Sequence, residues 1–100
     1  MRTCIDRLIS RAHVDSISIR DEIDFVTGAL EQVRADGVIS NEAFLDAGNI
    51  HGALKMIAEH IDLGISQTEI HEMLEQQIYR AVKVEDKHPG LNRALEARRE

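Results

Sequence analysis

The most regular pattern of apolar positions in the chain lies between Asn41 and Asp62. Apolar residues recur there at alternating spacings of four and three, which places them on one narrow stripe of a helix. The stripe consists of Ala43, Ala47, Ile50, Leu54, Ile57 and Ile61. The pattern therefore predicts one long central helix, Asn41 to Asp62, that buries this stripe in a core.

The opposite side of the predicted central helix carries almost no charge. It presents Leu45, Gly48, Gly52 and Met56, and only Lys55 and Glu59 lie nearby. A glycine inside a helix costs about 1 kcal/mol relative to alanine, so glycines on one face need a reason. Close approach of a second helix is such a reason. We therefore expect these four residues to form a dimer or partner interface.

Three alternatives to this interpretation stay open at the level of the sequence. The glycines could be poor helix formers that a well-packed bundle tolerates. The helix could break near Gly48 and Asn49, giving two shorter helices. The two faces of the central helix could also exchange roles, with the glycine face packed inside the protomer.

Capping patterns divide the first forty residues into two helices. A Thr-x-x-Asp pattern at Thr3 predicts a first helix that runs to about Val14, and a Ser-x-x-Asp pattern at Ser18 predicts the start of the second. Gly37 is suited to close the second helix, because glycine readily adopts the left-handed conformation found there. Ser40 then caps the central helix.

The second half of the chain has clearer boundaries. Gly64 follows the central helix, and Ser66 begins a Ser-x-x-Glu capping box for a fourth helix from Gln67 to about Val84. A short final helix is predicted within 91–99, with residues 1–2 and 96–100 frayed. The chain is thus predicted to be a single all-α domain, 1–100, a small bundle of four to five helices that forms a homodimer.

Cysteine content and hydropathy indicate a cytoplasmic location. The single Cys4 cannot form a disulfide within the chain, and neither a signal peptide nor a run of eighteen apolar residues is present. No predicted helix combines a basic face with a large apolar one, so we expect no association with membranes.

The segment 59–74 resembles the helix-turn-helix of DNA-binding proteins. It has the turn glycine, Gly64, and apolar residues at Ile70 and Met73, where the second helix would pack on the first. The resemblance implies an alternative function, that of a transcriptional regulator that binds DNA. The recognition helix would, however, present three acidic residues, Glu69, Glu72 and Glu75. Because phosphate contacts provide much of the affinity for DNA, we expect nucleic acid not to be the partner.

Catalytic and metal-binding patterns are not found in the sequence. No Gly-rich phosphate loop, nucleophile motif or zinc-protease spacing occurs, and His60 and His71 flank a turn without a standard ligand spacing. We therefore expect a protein that is not an enzyme, with no catalytic residue, cofactor or metal.

Acidic residues concentrate in the middle of the chain. The net charge is −6, and the segment 17–62 contains nine acidic and three basic residues. We expect an acidic partner-binding surface formed by Asp21, Glu22, Asp24, Asp36, Glu42 and Asp46. Such a surface favours partners with a basic or apolar surface. By analogy of size and charge with bacterial and phage regulators, this suggests an acidic inhibitor or anti-activator that occupies a transcription factor or a nucleic-acid-handling complex.

Overall fold

Five α-helices joined by short turns make up residues 1–99, the part of the chain that the computed structural model describes. They are α1 (Arg2–Ile9), α2 (Ser16–Ala35), α3 (Asn41–Asp62), α4 (Gln67–Lys87) and α5 (Leu91–Glu96). The predicted all-helical class is therefore confirmed. Glu100, which belongs to the tail predicted to fray, lies outside the described residues.

The central helix α3 has the predicted bounds and a single core face. Ser40 caps it as expected, because its Oγ accepts a hydrogen bond from the Ala43 N–H at 3.0 Å. Ala43, Ala47, Ile50, Leu54 and Ile57 are buried, and Ile61 is partly buried. The helix continues without interruption through Gly48 and Asn49, so the suggested break is wrong. The stripe assigned to the core is therefore the one that packs inside the protomer.

Helix α3 forms two antiparallel hairpins, one with α2 and one with α4. The turn after α2 contains Gly37 at φ 72°, and at the far end of this hairpin Arg20 pairs with Asp62 at 2.6 Å. The turn after α3 contains Gly64 at φ 91°, and at the far end Lys87 pairs with Glu42 at 2.6 Å. A turn at one end and a contact at the other mean that each pair of helices lies side by side along its length.

Helix α1 ends at Ile9, well before the predicted Val14. The predicted Thr3 cap does not form; instead the Asn92 Oδ1 accepts a hydrogen bond from the Thr3 N–H at 3.1 Å. Val14 leaves the helix and is buried, and the Gln67 side chain bonds both its N–H (2.8 Å) and its C=O (2.9 Å). These contacts to α4 compete with continuation of α1.

Two further boundaries differ from prediction and a third agrees. Helix α2 begins at Ser16, because Asp15 provides the cap: its Oδ1 accepts from the Ser18 N–H at 2.6 Å. Helix α4 continues past Val84 to Lys87. Ser66 caps α4 as predicted: its Oγ accepts from the Glu69 N–H at 3.3 Å, and its hydroxyl donates to the Glu69 Oε1 at 3.2 Å. The Glu69 carboxylate therefore meets the Ser66 side chain and not the backbone N–H that a full capping box uses.

Candidate interaction surfaces

The outer stripe of α3, formed by Leu45, Gly48, Gly52 and Met56, faces away from the core. Leu45 is 66% exposed and Met56 is 58% exposed. A Cβ added at Gly48 or Gly52 would meet no atom of another element within 4 Å in the described chain. Neither glycine is therefore required by packing inside the protomer.

Leu63 extends this surface beyond the residues that the sequence singled out. It follows Met56 by seven positions, which places it on the same side of the helix, and it is 81% exposed. Sequence reasoning placed Leu63 in the turn, although the spacing of seven was a usable signal. With a rise of 1.5 Å per residue, the outer face from Leu45 to Leu63 is about 27 Å long, and the exposed Glu59 lies on it between Met56 and Leu63.

A small cleft between α2 and α3 opens beside Gly48. Its volume is about 90 Å³, and it is lined by Thr27, Leu30, Glu31, Phe44, Gly48 and His51. One wall is fixed by a 2.7 Å hydrogen bond between the Thr27 Oγ1 and the His51 Nε2. Because Gly48 has no side chain, the cleft is continuous with the outer stripe.

The six acidic residues predicted to bind a partner do not form one free surface. Asp36 pairs with Arg98 at 3.0 Å, and Glu42 and Asp46 both contact Lys87. Asp21 and Asp24 are exposed and form no ion pair within residues 1–99. Only these two of the six are therefore fully available to a basic partner.

Glu22 corrects the expectation of an acidic surface most clearly, because it is only 7% exposed. Its carboxylate contacts the Arg7 Nε at 2.5 Å and an Arg99 guanidinium nitrogen at 2.9 Å. Arg99 also pairs with Glu96 at 2.8 Å and lies 3.9 Å from the ring centre of Phe25. Hydrogen bonds to Glu96, then to Glu22, raise the pKa of Arg99. Residues 96–99, predicted to fray, are thus connected to α2.

Cys4 is buried beside this ion-pair cluster and should react slowly with thiol reagents. Its side chain is 0% exposed, and burial raises the pKa of its thiol to about 12. Because the thiolate is the reactive form, the native protein should react with Ellman's reagent on the order of 10³-fold more slowly than an ordinary cysteine at neutral pH. The rate should rise with pH and with unfolding in urea. Reaction of the native protein at the rate of the urea-unfolded chain would contradict this expectation.

The segment that resembles a helix-turn-helix is part of the α3–α4 hairpin. Helices of a DNA-binding helix-turn-helix cross at about 90–120°, whereas α3 and α4 lie side by side over more than twenty residues each. The exposed side of the first turns of α4 carries Glu69, Glu72 and Glu75. Neither the arrangement nor the charge favours insertion into a DNA groove.

The histidines that the sequence suggested as a pair, His60 and His71, each bond to a carbonyl of their own helix. The His60 Nδ1 lies 2.8 Å from the Met56 O, and the His71 Nδ1 lies 2.9 Å from the Gln67 O. A different histidine, His88, lies beside acidic residues: its Nε2 is 2.8 Å from the Asp46 Oδ2. The hydrogen bond with His88, followed by the charge of Lys87, lowers the pKa of Asp46.

Among residues 1–99, no helix combines the length and apolar character needed to cross a bilayer. Comparison of the chain with protein-family models, curated proteins and solved structures finds no match. Function is therefore inferred from the surfaces described above.

Proposed function

We propose that the protein is a non-enzymatic, protein-binding regulator that forms a homodimer through the outer stripe of α3. The observation that supports this most strongly is the presence of Gly48 and Gly52 in an exposed apolar stripe, with no neighbouring atom that requires either glycine. A second copy of the chain would supply the missing neighbour.

The two glycines destabilise α3 as a helix but permit a close contact with a second helix. Together they disfavour α3 by about 2 kcal/mol relative to two alanines. Small residues spaced by four let two helix backbones approach closely, and this spacing occurs at Gly48 and Gly52. In a symmetric dimer the same stripe lies on both sides of the interface, so Gly48 and Gly52 of both subunits lie at the contact.

The outer stripe alone is smaller than a stable interface. A stripe about 27 Å long on a helix about 10 Å wide covers roughly 300 Å². A stable interface uses about 800 Å² from each partner, so residues flanking the stripe on α2 and α4 must also contribute. The cleft beside Gly48 is one such flank, since it can receive an apolar side chain from the second copy. We expect weak dimers, with a dissociation constant of about 1 µM or higher.

The proposed target of regulation is a protein with a basic or apolar surface. Asp21 and Asp24 lie one turn apart on the exposed side of α2, where they can meet a basic surface without first breaking an ion pair within residues 1–99. Exposed carboxylates of this kind attract surfaces that bind phosphates. The proposed role is therefore that of an inhibitor or anti-activator that acts by occupying such a surface.

Two substitutions at Gly52 test self-association. Both Gly52→Ala and Gly52→Leu should stabilise α3 by about 0.5–1 kcal/mol, because both residues are better helix formers than glycine and the position is open. Only leucine blocks close approach of a second backbone. In sedimentation equilibrium we expect Gly52→Ala to dimerise nearly as the wild type does and Gly52→Leu to weaken the dimer at least about tenfold, a change of 1.4 kcal/mol. Equal dissociation constants for all three proteins would overturn the proposed interface.

A further inference from the structure

A cluster of three side chains joins the start of α3 to the end of α4. Glu42 and Asp46 lie one turn apart on α3, and His88 is the C-cap residue that directly follows α4. One ligand atom from each lies within 4.8 Å of the other two. The His88 side chain is only 14% exposed and is held with its Nε2 against the Asp46 carboxylate. The three groups therefore converge on one point from two helices.

A cation already lies against the two carboxylates. The Lys87 Nζ is 2.6 Å from the Glu42 Oε1 and 3.5 Å from the Asp46 Oδ2. Its side chain is 56% exposed, so its flexible stem can turn into solvent at little cost. The arrangement thus provides a cation position whose present occupant is monovalent and displaceable.

We propose that Glu42, Asp46 and His88 form a Zn²⁺ site in which the metal displaces the Lys87 ammonium. A neutral imidazole and two carboxylates are three of the ligand types that Zn²⁺ binds, and their combined charge of about −2 balances the ion. Zinc–ligand distances of about 2.0–2.2 Å place tetrahedral ligand atoms about 3.4 Å apart. The 2.8 Å between the His88 and Asp46 atoms therefore needs to open only slightly. Water would complete the coordination.

Sequence reasoning missed this site because its ligands are far apart in the chain. Asp46 and His88 are 42 positions apart, and no short motif contains both. They meet because α3 and α4 are antiparallel and of nearly equal length. Bound Zn²⁺ would connect the two open ends of this hairpin, so it should also stabilise the fold.

The test is a titration of metal-free protein with Zn²⁺ by calorimetry and with Co²⁺ by visible absorption. The wild type should bind one ion at a saturable site, and Zn²⁺ should raise the melting temperature. His88→Gln should weaken binding at least as much as loss of an outer-shell partner does, about 10–100-fold. Lys87→Gln should tighten binding, because it removes the competing ammonium. His60→Gln, which changes a histidine at the opposite end of the hairpin, should bind as the wild type does.

Two results would overturn the zinc site: no saturable binding by the wild type, or equal affinities for the wild type and His88→Gln. If His88→Gln does not fold, Asp46→Asn replaces it, since the amide keeps the shape of the side chain and one hydrogen-bond acceptor. Unchanged affinity in a folded Asp46→Asn would exclude the site in the same way. Failure of the zinc site would leave the dimer proposal unaffected, because the outer stripe contains none of these residues.

Discussion

Leu54→Ala is expected to lower the free energy of unfolding by about 2–5 kcal/mol, the range measured for leucine truncations in well-packed cores. Leu54 is 0% exposed and lies near the middle of α3, the helix that forms hairpins with both α2 and α4. Its loss leaves a cavity that two long helices can close only by moving together. Since a domain of this size is stable by about 5–15 kcal/mol, the loss is a large fraction of the total. Urea denaturation followed by circular dichroism measures it.

The matched control for Leu54 is Leu63→Ala at the end of the same helix. Leu63 is 81% exposed, so its truncation should change stability by less than about 0.5 kcal/mol. Both variants are best made in the Gly52→Leu background, so that self-association does not contribute to the measured stability. Similar losses in the two variants would mean that the core is not centred on the inner face of α3.

Glu22→Ala is expected to lower the free energy of unfolding by about 1.5–3 kcal/mol, as for loss of a charged hydrogen-bond partner. Removal of the carboxylate leaves Arg99, whose side chain is 20% exposed, with one of its two acidic partners. Arg7 contributes less, because its side chain is 55% exposed and water can replace the carboxylate. The same denaturation experiment at neutral pH measures the loss.

The control for Glu22 is its neighbour, Asp21→Ala. Asp21 is exposed and forms no ion pair within the described residues, so its truncation should change stability by less than about 0.5 kcal/mol. If the two variants were equally stable, the ion pairs of Glu22 would not hold Arg99 against α2.

The elements that sequence reasoning located correctly are those specified by nearby residues. The bounds of α3 follow from its 3.6-residue apolar period and from the Ser40 cap, whose hydrogen bond to Ala43 spans three residues. The Ser66 cap of α4 is equally local. Caps and apolar periods that span only a few residues can be recognised in a single sequence, because the interacting groups are close together along the chain.

The boundaries that sequence reasoning placed wrongly depend on contacts across the fold. Helix α1 was predicted to continue to Val14, but the Val14 backbone bonds to Gln67, 53 positions away. The start of α2 was ambiguous locally, because both Asp15 and Ser18 are good capping residues. The choice of Asp15 adds residues 16–18 to the helix.

The candidate surfaces also differ in this way: one is specified by nearby residues, and the other depends on contacts across the fold. The outer stripe could be identified from the sequence because exposure along a helix follows the helical period. The acidic surface could not, since it depends on which carboxylates meet a cation. Glu22 pairs with Arg99 at a separation of 77 positions, and Asp36 pairs with Arg98 at 62. A single sequence contains no signal for pairings at that distance, nor for the meeting of His88 with Asp46.

The measurement that tests the proposed self-association most directly is the solution mass of the wild-type chain, by light scattering over a wide range of concentrations. The outer stripe of α3 is expected to pair with a second copy, so the mass should rise from 11.3 kDa towards twice that value as concentration increases. Gly52→Leu should need concentrations at least about tenfold higher to reach the same mass. A wild-type mass of 11.3 kDa at every concentration would contradict the homodimer.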